Sequence, residues 1–220
     1  MKQLVALIIT LLVAAGSLQS QTNAPFAADI AAFKKQDSIQ FPAKHQILFI
    51  GSSSFTKWKT VQQDFPDYKI LNRAFGGSTL VDVIRYVGDV VYPYKPKQII
   101  IYCGENDIAA SDTVTAAMVL QRFQTLYKLI RNKYKKIEID YVSIKPSPVR
   151  IKFRPVVEQA NMLLKSFIAT QKHAKFINVF NDMLNADGTI KQELFISDNL
   201  HMNEKGYAIW QRIIQPYLFK

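Results

Sequence analysis

Short apolar runs of strand length alternate with amphipathic helical patterns along most of this 220-residue chain. The runs cover residues 45–50, 69–71, 98–102, 137–142 and 175–179. Strands that alternate with helices favour a parallel sheet with helices packed on both of its faces. Once an N-terminal segment is set aside, the remaining length suits one domain with one substantial core. The sequence therefore predicts a single α/β domain.

Between these runs, apolar residues recur at spacings that place them on one face of a helix. The predicted inward-facing residues are Val81, Ile84 and Val91 in the first pattern, Val119, Phe123, Leu126 and Ile130 in the second, Val156, Val157, Ala160, Leu163, Leu164 and Phe167 in the third, and Tyr207, Trp210, Ile213 and Ile214 in the last. We interpret these residues as core contacts and not as a cofactor motif.

Residues 1–20 have the layout of a secretory signal peptide. Lys2 precedes an apolar stretch from Leu4 to Ala15, and the small residues Gly16, Ser17 and Ser20 follow it. The stretch is too short to span a bilayer comfortably. We therefore expect export to the periplasm or the extracellular space, with no integral membrane span after cleavage; an uncleaved anchor is the alternative.

The rest of the chain divides into two predicted parts. Residues 21–44 are expected to form an N-terminal helix and a lead-in loop, and residues 45–220 the main domain. The only cysteine, Cys103, leaves no possibility of an intramolecular disulfide. Because Cys103 lies at a predicted strand end between Tyr102 and Gly104, it is expected to be a small buried hydrophobe.

The formal net charge of +11 favours contact with anionic surfaces or substrates without identifying one. One basic cluster falls at the end of a predicted helix, where cations complement the terminal carbonyl groups. It consists of Lys128, Arg131, Lys133, Lys135 and Lys136. No aromatic platform or nucleic-acid motif accompanies it, so we interpret it as a solvated face and expect no nucleic-acid partner.

A candidate nucleophile follows the first predicted strand, where the apolar run stops at Gly51 and three serines come next. A catalytic serine needs a tight strand-to-helix turn, so that its oxygen stands clear of the sheet. Gly51 would permit such a turn. The alternative is a serine-rich helix cap, because serine is a common N-cap residue.

A candidate general base lies near the C-terminus, where Asp198 precedes His201 by three residues. A serine nucleophile needs a histidine base and a carboxylate that orients it. If the segment begins a helix, this spacing places both side chains on one face. The alternative is a surface helix start that Asp198 or Asn199 caps.

Two more segments lie between them, at residues 72–77 and 104–107. Taken alone, each is explained by an ordinary turn after a strand. All four segments, however, fall at a predicted strand end or helix start, and ligands of open parallel sheets bind beyond the carboxyl ends of the strands. In this order, the four segments resemble the sequence blocks of the SGNH hydrolases, also called the GDSL esterase and lipase family.

The resemblance implies a flavodoxin-like three-layer α/β/α sandwich with about five mainly parallel strands. It also implies roles for named residues. Ser53 aligns with the nucleophile, which leaves Ser52 where the family has an aspartate. His201 is the base, Asp198 orients it, and the oxyanion hole is formed by the backbone N–H groups of Ser53 and Gly77 and the side-chain amide of Asn106. Gly77 is chosen over Gly76 because it lies five residues after Asn72.

The implied reaction is ester hydrolysis through an acyl-enzyme on Ser53, without a metal or organic cofactor. The expected substrate is a small acyl group, such as acetyl, on a carbohydrate or a similar polar ester. Alternatives are a lysophospholipase, a thioesterase, or a non-catalytic carbohydrate- or surface-binding protein. Four cations after the fourth strand either meet an acidic sugar or phosphate group or form a solvated rim: Lys145, Arg150, Lys152 and Arg154. Glu105 and Asp107 are interpreted as structural.

Overall fold

The structure is a computed structural model that describes residues 24–220, so the predicted signal peptide lies outside the described residues. The described residues fall into two compact units, with residues 24–41 in the first and residues 42–220 in the second. In the first, helix α1 spans Ala27–Ile39. The second contains the sheet. Within the described part of the chain, no helix combines the length and apolar character needed to cross a bilayer.

Five parallel strands form the central sheet. They are β1 (Ile47–Gly51), β2 (Ile70–Asn72), β3 (Gln98–Tyr102), β4 (Glu138–Val142) and β5 (Ala174–Ile177). Their order across the sheet is β2-β1-β3-β4-β5, and every neighbouring pair is parallel. This is the flavodoxin-like order, and it confirms the predicted α/β sandwich.

Helices connect the strands. In the second unit they are α2 (Ser53–Thr56), α3 (Val61–Asp64), α4 (Leu80–Arg85), α5 (Val87–Val90), α6 (Glu105–Ala109), α7 (Ala116–Lys133), α8 (Arg154–Ala169) and α9 (Glu204–Ile214). Short 3₁₀ turns occupy Pro148–Phe153, Asn181–Met183, Gln192–Leu194 and Gln215–Tyr217.

Both faces of the sheet are covered, so every residue of β1, β3 and β4 is buried. On one face, Phe49 packs with Trp58 and Trp210 in a cluster rich in aromatic rings. On the other face, Phe123 of α7 packs edge-on against Tyr141 of β4. The predicted inward stripe of α7 is confirmed, because all four of its residues are buried.

In the first predicted helical pattern, Val91 is buried as predicted, but the inward orientation predicted for Val81 is wrong. Val81 is 42% exposed, whereas Leu80 and Val83 are fully buried. A capping box sets this phase: the Thr79 side chain accepts a hydrogen bond from the Asp82 backbone N–H, and the Asp82 carboxylate accepts one from the Thr79 backbone N–H. The cap makes Leu80 the first helical residue, which turns Val81 to solvent.

Arg131 differs from the lysines of the predicted basic cluster. Lys128, Lys133, Lys135 and Lys136 are exposed, as expected for a solvated face. The Arg131 guanidinium instead donates hydrogen bonds to five backbone carbonyl oxygens, those of Tyr134, Lys135, Ile137, Lys172 and His173. It thereby joins the segment that enters β4 to the segment that enters β5.

Asp140 is a fully buried carboxylate in the middle of β4. It accepts hydrogen bonds from Gln98 Nε2 at 2.6 Å and from the Lys175 backbone N–H at 2.9 Å. Burial raises the pKa of Asp140 to about 7, against the opposing effect of the Gln98 hydrogen bond. The folded protein therefore holds a proton that the unfolded chain releases near pH 4.

We expect Asp140 to make the protein less stable as the pH rises from about 4 to 7, because the folded state binds more protons than the unfolded state in that window. The free energy of unfolding should fall by up to roughly 1.4 kcal/mol per pH unit from this group. Urea unfolding at pH 5 and pH 7 measures the change in the free energy of unfolding, in the wild type and in the Asp140→Asn variant. An equal change in both proteins would contradict the assignment.

Candidate active site

The turn after β1 requires glycine at its first position. Gly51 has a φ of +123°, and a Cβ atom at this position would lie 1.9 Å from the carbonyl oxygen of Tyr102. The Ser52 backbone N–H donates to that same oxygen at 2.9 Å, which fixes the turn against β3. Helix α2 then begins at Ser53. The chain thus makes the predicted tight strand-to-helix turn.

The three serines of this turn have different surroundings. Ser52 and Ser54 are buried, each with 2% exposure, whereas Ser53 is only partly buried. Ser52 is the N-cap residue of α2, but its side chain makes no capping hydrogen bond. Its hydroxyl instead accepts a hydrogen bond from Asn106 Nδ2 at 2.7 Å. The alternative of a serine side-chain cap at this position is therefore wrong.

The segment after β2 lies against the turn that follows β1. The Phe75 backbone N–H and the Ser78 hydroxyl both donate to the Gly51 carbonyl oxygen, at 2.9 and 3.0 Å. Gly77, with a φ of +85°, lies in the turn between them. In residues 24–220, the backbone N–H groups of Ser53 and Gly77 have no hydrogen-bond partner. Both are available to a ligand.

Asn106 connects three of the four predicted segments. Its Nδ2 atom donates to the Ser52 hydroxyl at 2.7 Å and to the Ser78 carbonyl oxygen at 3.1 Å. Its Oδ1 atom accepts a hydrogen bond from Arg150 Nη2 at 3.0 Å. Because only the side-chain oxygen can accept from arginine, Arg150 fixes which way the amide points. Both amide protons have partners within residues 24–220.

Asp198 and His201 form a close pair. Asp198 Oδ2 lies 2.5 Å from His201 Nδ1, and Asp198 Oδ1 accepts hydrogen bonds from the backbone N–H groups of Leu200 and His201, both at 2.9 Å. The expectation that this pair begins a helix is wrong. Helix α9 starts later, with Asn203 as its N-cap. A turn around the Asp198 carboxylate brings the two side chains together instead.

The surroundings of Asp198 keep it ionised. Partial desolvation raises its pKa, but hydrogen bonds from the His201 ring and from the two backbone N–H groups outweigh that effect and hold the pKa at about 2. A carboxylate that is ionised at all ordinary pH values favours the Nδ1-protonated form of the imidazole. The Nε2 atom is then free to accept a proton.

Ser53 and His201 lie on segments that contact each other. The Tyr207 hydroxyl, on the helix after His201, donates to the Ser54 carbonyl oxygen at 2.9 Å. Within the described part of the chain, no hydrogen bond joins the Ser53 hydroxyl to the His201 ring. Catalytic hydrogen bonds are often long in unliganded enzymes and shorten when substrate binds.

A buried charge network lies beside Asn106, and the sequence did not reveal it. The side chains of Lys145 and Glu105 are 1% and 8% exposed, and Lys145 Nζ lies 3.0 Å from Glu105 Oε2. The Glu105 carboxylate also accepts hydrogen bonds from the hydroxyls of Tyr102 and Ser147, at 2.7 and 2.6 Å, and pairs with Arg150 at 3.3 Å. Burial opposes ionisation of Glu105, but the two cations lower its pKa below the usual range.

This network links the part of the candidate site around Asn106 to the part around His201. Through Arg150, Glu105 supports the Asn106 amide. Lys145 Nζ donates to the Leu200 carbonyl oxygen at 2.8 Å, directly before His201. The solvated-rim interpretation of Lys145 is therefore wrong, because this lysine is buried and paired with Glu105. One feature of the sequence could have revealed this network. Glu105 is a carboxylate at the end of a buried strand, and such a group needs a cation nearby.

The remaining predicted residues have structural contacts. Lys152 pairs with Asp112 at 3.1 Å on the exposed surface, and Arg154 pairs with Glu158 at 2.8 Å, which fits the solvated-rim interpretation. Asp107 accepts hydrogen bonds from the backbone of Leu80 at the start of α4 and from Arg122 of α7, both at 2.8 Å. Cys103 is buried, and burial raises the pKa of its thiol well above the usual value.

Comparison with known proteins agrees with this geometry. The sequence model of the GDSL-like Lipase/Acylhydrolase family matches residues 49–209. No curated protein matches the chain. A solved structure from Streptococcus pneumonia, described provisionally as a platelet activating factor, is 21% identical, with a TM-score of 0.76 over 97% of this chain and 99% of the other.

Two further solved structures share the fold. A GDSL-like lipase from Bacteroides thetaiotaomicron is 17% identical, with a TM-score of 0.72 over 86% of this chain and 97% of the other. A carbohydrate esterase family 3 protein from Talaromyces cellulolyticus is 14% identical, with a TM-score of 0.57 over 80% and 96% of the two chains. At these identities, the likeness establishes the fold alone.

Proposed function

The chain belongs to the GDSL-like lipase/acylhydrolase family, and from this premise we propose that it is an exported serine esterase with Ser53 as its nucleophile. The observation that supports the proposal is the Asp198–His201 pair, which directly precedes helix α9, and the Tyr207 hydroxyl of that helix donates to the carbonyl oxygen of Ser54, next to the partly exposed Ser53. The proposal includes the signal peptide at residues 1–20 and the division of the mature chain at residue 44.

In the proposed reaction, His201 Nε2 accepts the proton of the Ser53 hydroxyl while Ser53 Oγ forms a bond to the ester carbonyl carbon. The bond between the carbonyl carbon and the alcohol oxygen then breaks, and His201 gives the proton to the leaving alcohol. Water then attacks the acyl-enzyme with the same proton transfers through His201, and the carboxylic acid is released. Asp198 keeps the imidazole oriented and stabilises its charged form.

The negative charge on the tetrahedral intermediate needs donors that are already in place. The free N–H groups of Ser53 and Gly77 supply two of them. Asn106 supplies the third when the substrate oxygen replaces the Ser52 hydroxyl as the acceptor of one amide N–H. The Arg150 contact to Asn106 Oδ1 keeps the amide pointing the right way during this exchange.

The proposed substrate is a small acyl ester, with acetyl on a carbohydrate as the favoured case. Structures of the same fold include an acetyl esterase with a bound acetate ion and the carbohydrate esterase named above.

Two measurements test the esterase proposal together. The chain beginning at Gln21, which contains every described residue, is expected to hydrolyse p-nitrophenyl acetate. A phosphonylating serine reagent should abolish this activity and add its mass to the peptide that contains Ser53. Hydrolysis without modification of Ser53 would show that another residue is the nucleophile. Failure to hydrolyse this ester and acetylated sugars, with no modification of Ser53, would overturn the esterase proposal.

Asn106→Ala is expected to lower kcat by on the order of a hundredfold or more, because it removes one preorganised donor to the oxyanion. Thermal unfolding should remain cooperative. Ser52→Ala is the matched control, since it removes the group that holds the Asn106 amide but leaves the amide itself. If the two variants lose the same activity, Asn106 acts only by positioning Ser52, and its place in the oxyanion hole is wrong.

A further inference from the structure

The amino-terminal edge of the sheet carries a high density of positive charge. All five strands are parallel, so all of them begin at this edge. The five residues that precede each strand contain eight lysines and one carboxylate, Asp67. We call these lysines the basic edge: Lys44, Lys69, Lys95, Lys97, Lys133, Lys135, Lys136 and Lys172.

The opposite edge, which carries the proposed active site, has no such excess. The five residues that follow each strand contain two cations and three carboxylates: Arg73, Lys145, Glu105, Asp107 and Asp182. Both of these cations are buried. The positive net charge of the chain is therefore concentrated at the end of the sheet that lies away from the proposed chemistry.

The lysines of the basic edge face solvent and lack neutralising partners. Seven are exposed and Lys97 is partly exposed. None of the eight forms an ion pair with a carboxylate of residues 24–220. Arg131 holds two of the lysine-bearing segments together, through the carbonyl oxygens of Lys135 and Lys172, at 3.2 and 3.3 Å. Like charges that are fixed side by side repel one another, and an anionic partner would relieve that repulsion.

An exposed aromatic ring lies at the same edge. Phe219 is 40% exposed, and its backbone N–H donates to Gln98, the first residue of β3, at 2.9 Å. The Lys175 ammonium lies 5.5 Å from the centre of its ring. An apolar ring among lysines fits the boundary between lipid headgroups and acyl chains, where both the ring and the charges find partners.

We propose that the basic edge docks the protein on an anionic lipid surface, with Phe219 entering the headgroup layer. The five strands spread the lysines over about 20 Å, which suits a charged surface and not one phosphate group. Lysines are compact point charges without the fork that binds a single anion in two places. Because the proposed active site is at the other edge, docking leaves it open to the aqueous phase.

Vesicle sedimentation in low salt tests the proposal, with phosphatidylcholine vesicles that contain or lack phosphatidylglycerol. The chain beginning at Gln21 should bind only the anionic vesicles. The triple variant Lys135→Gln, Lys136→Gln, Lys172→Gln should partition on the order of 100-fold more weakly. The matched control is Lys59→Gln, Lys165→Gln, Lys205→Gln, which removes the same charge from exposed lysines elsewhere and should bind nearly as well as the wild type.

The Phe219→Ala variant separates a lipid surface from a soluble polyanion. It should weaken binding to the anionic vesicles and leave binding to dextran sulfate unchanged. Equal losses in the two triple variants, or wild-type binding that ignores phosphatidylglycerol, would overturn the proposal. So would vesicle binding that Phe219→Ala does not alter. Hydrolysis of p-nitrophenyl acetate is a separate readout, and the proposal does not depend on it.

Discussion

Ser53→Ala is expected to lower kcat for p-nitrophenyl acetate by roughly 10⁴-fold or more, which leaves only the catalysis that binding and the oxyanion donors provide. Ser53 is the one serine of its turn that is not buried. Removal of its hydroxyl costs no hydrogen bond within residues 24–220, so the unfolding temperature should stay close to that of the wild type.

Ser54→Ala is the matched control for this experiment. Ser54 is the next residue in the chain, and its side chain is buried close to the Tyr102 hydroxyl. Its replacement should lower the free energy of unfolding by about 1 kcal/mol and leave most of the activity. If Ser54→Ala abolishes turnover while Ser53→Ala does not, the nucleophile has been assigned to the wrong serine.

The second large effect is expected from His201→Ala, which should lower kcat by on the order of 10³- to 10⁴-fold. The variant removes the only described imidazole that a carboxylate orients at hydrogen-bond distance, 2.5 Å from Asp198. Because the substitution leaves a space at the ring position, added imidazole should restore part of the activity. Rescue of this kind distinguishes a missing base from a damaged fold.

His173→Ala is the control, because its ring lies 3.9 Å from Glu138 at the amino-terminal edge of the sheet. It should have nearly wild-type turnover, and added imidazole should have no effect on it. A His201→Ala variant with unchanged kcat would show that another group accepts the Ser53 proton. Equal losses in the two histidine variants would point to a general loss of stability.

Strand positions were predictable because burial on both faces leaves a clear mark on the sequence. The run at residues 98–102 is apolar apart from Gln98, and it forms β3 without a shift. The helix phase at Val81 was not predictable from apolar spacing alone. There, a capping box between Thr79 and Asp82 decided where the helix starts, and this local polar contact outweighed the pattern.

In the candidate site, too, some contacts were predictable from the sequence and others were not. Asp198 and His201 are three residues apart, so a short turn is enough to join them, and the sequence could suggest the pair. Glu105 and Lys145 are 40 residues apart, and their contact depends on how β3 and β4 pair. Nothing in the sequence distinguishes Lys145 from the other cations of its loop. Only the fold shows that it is buried.

The contact between Lys145 and the Leu200 carbonyl oxygen has a consequence for biosynthesis. Ser53 emerges from the ribosome early, whereas Asp198 and His201 lie within the last 23 residues of the chain. Contacts with earlier parts of the chain hold the loop that carries His201: the Val149 backbone N–H donates to the Asn199 carbonyl oxygen, Lys145 Nζ to that of Leu200, and the Tyr207 hydroxyl to that of Ser54. Under the proposed function, Ser53 would therefore gain its general base only after the segment that carries His201 has folded against the sheet.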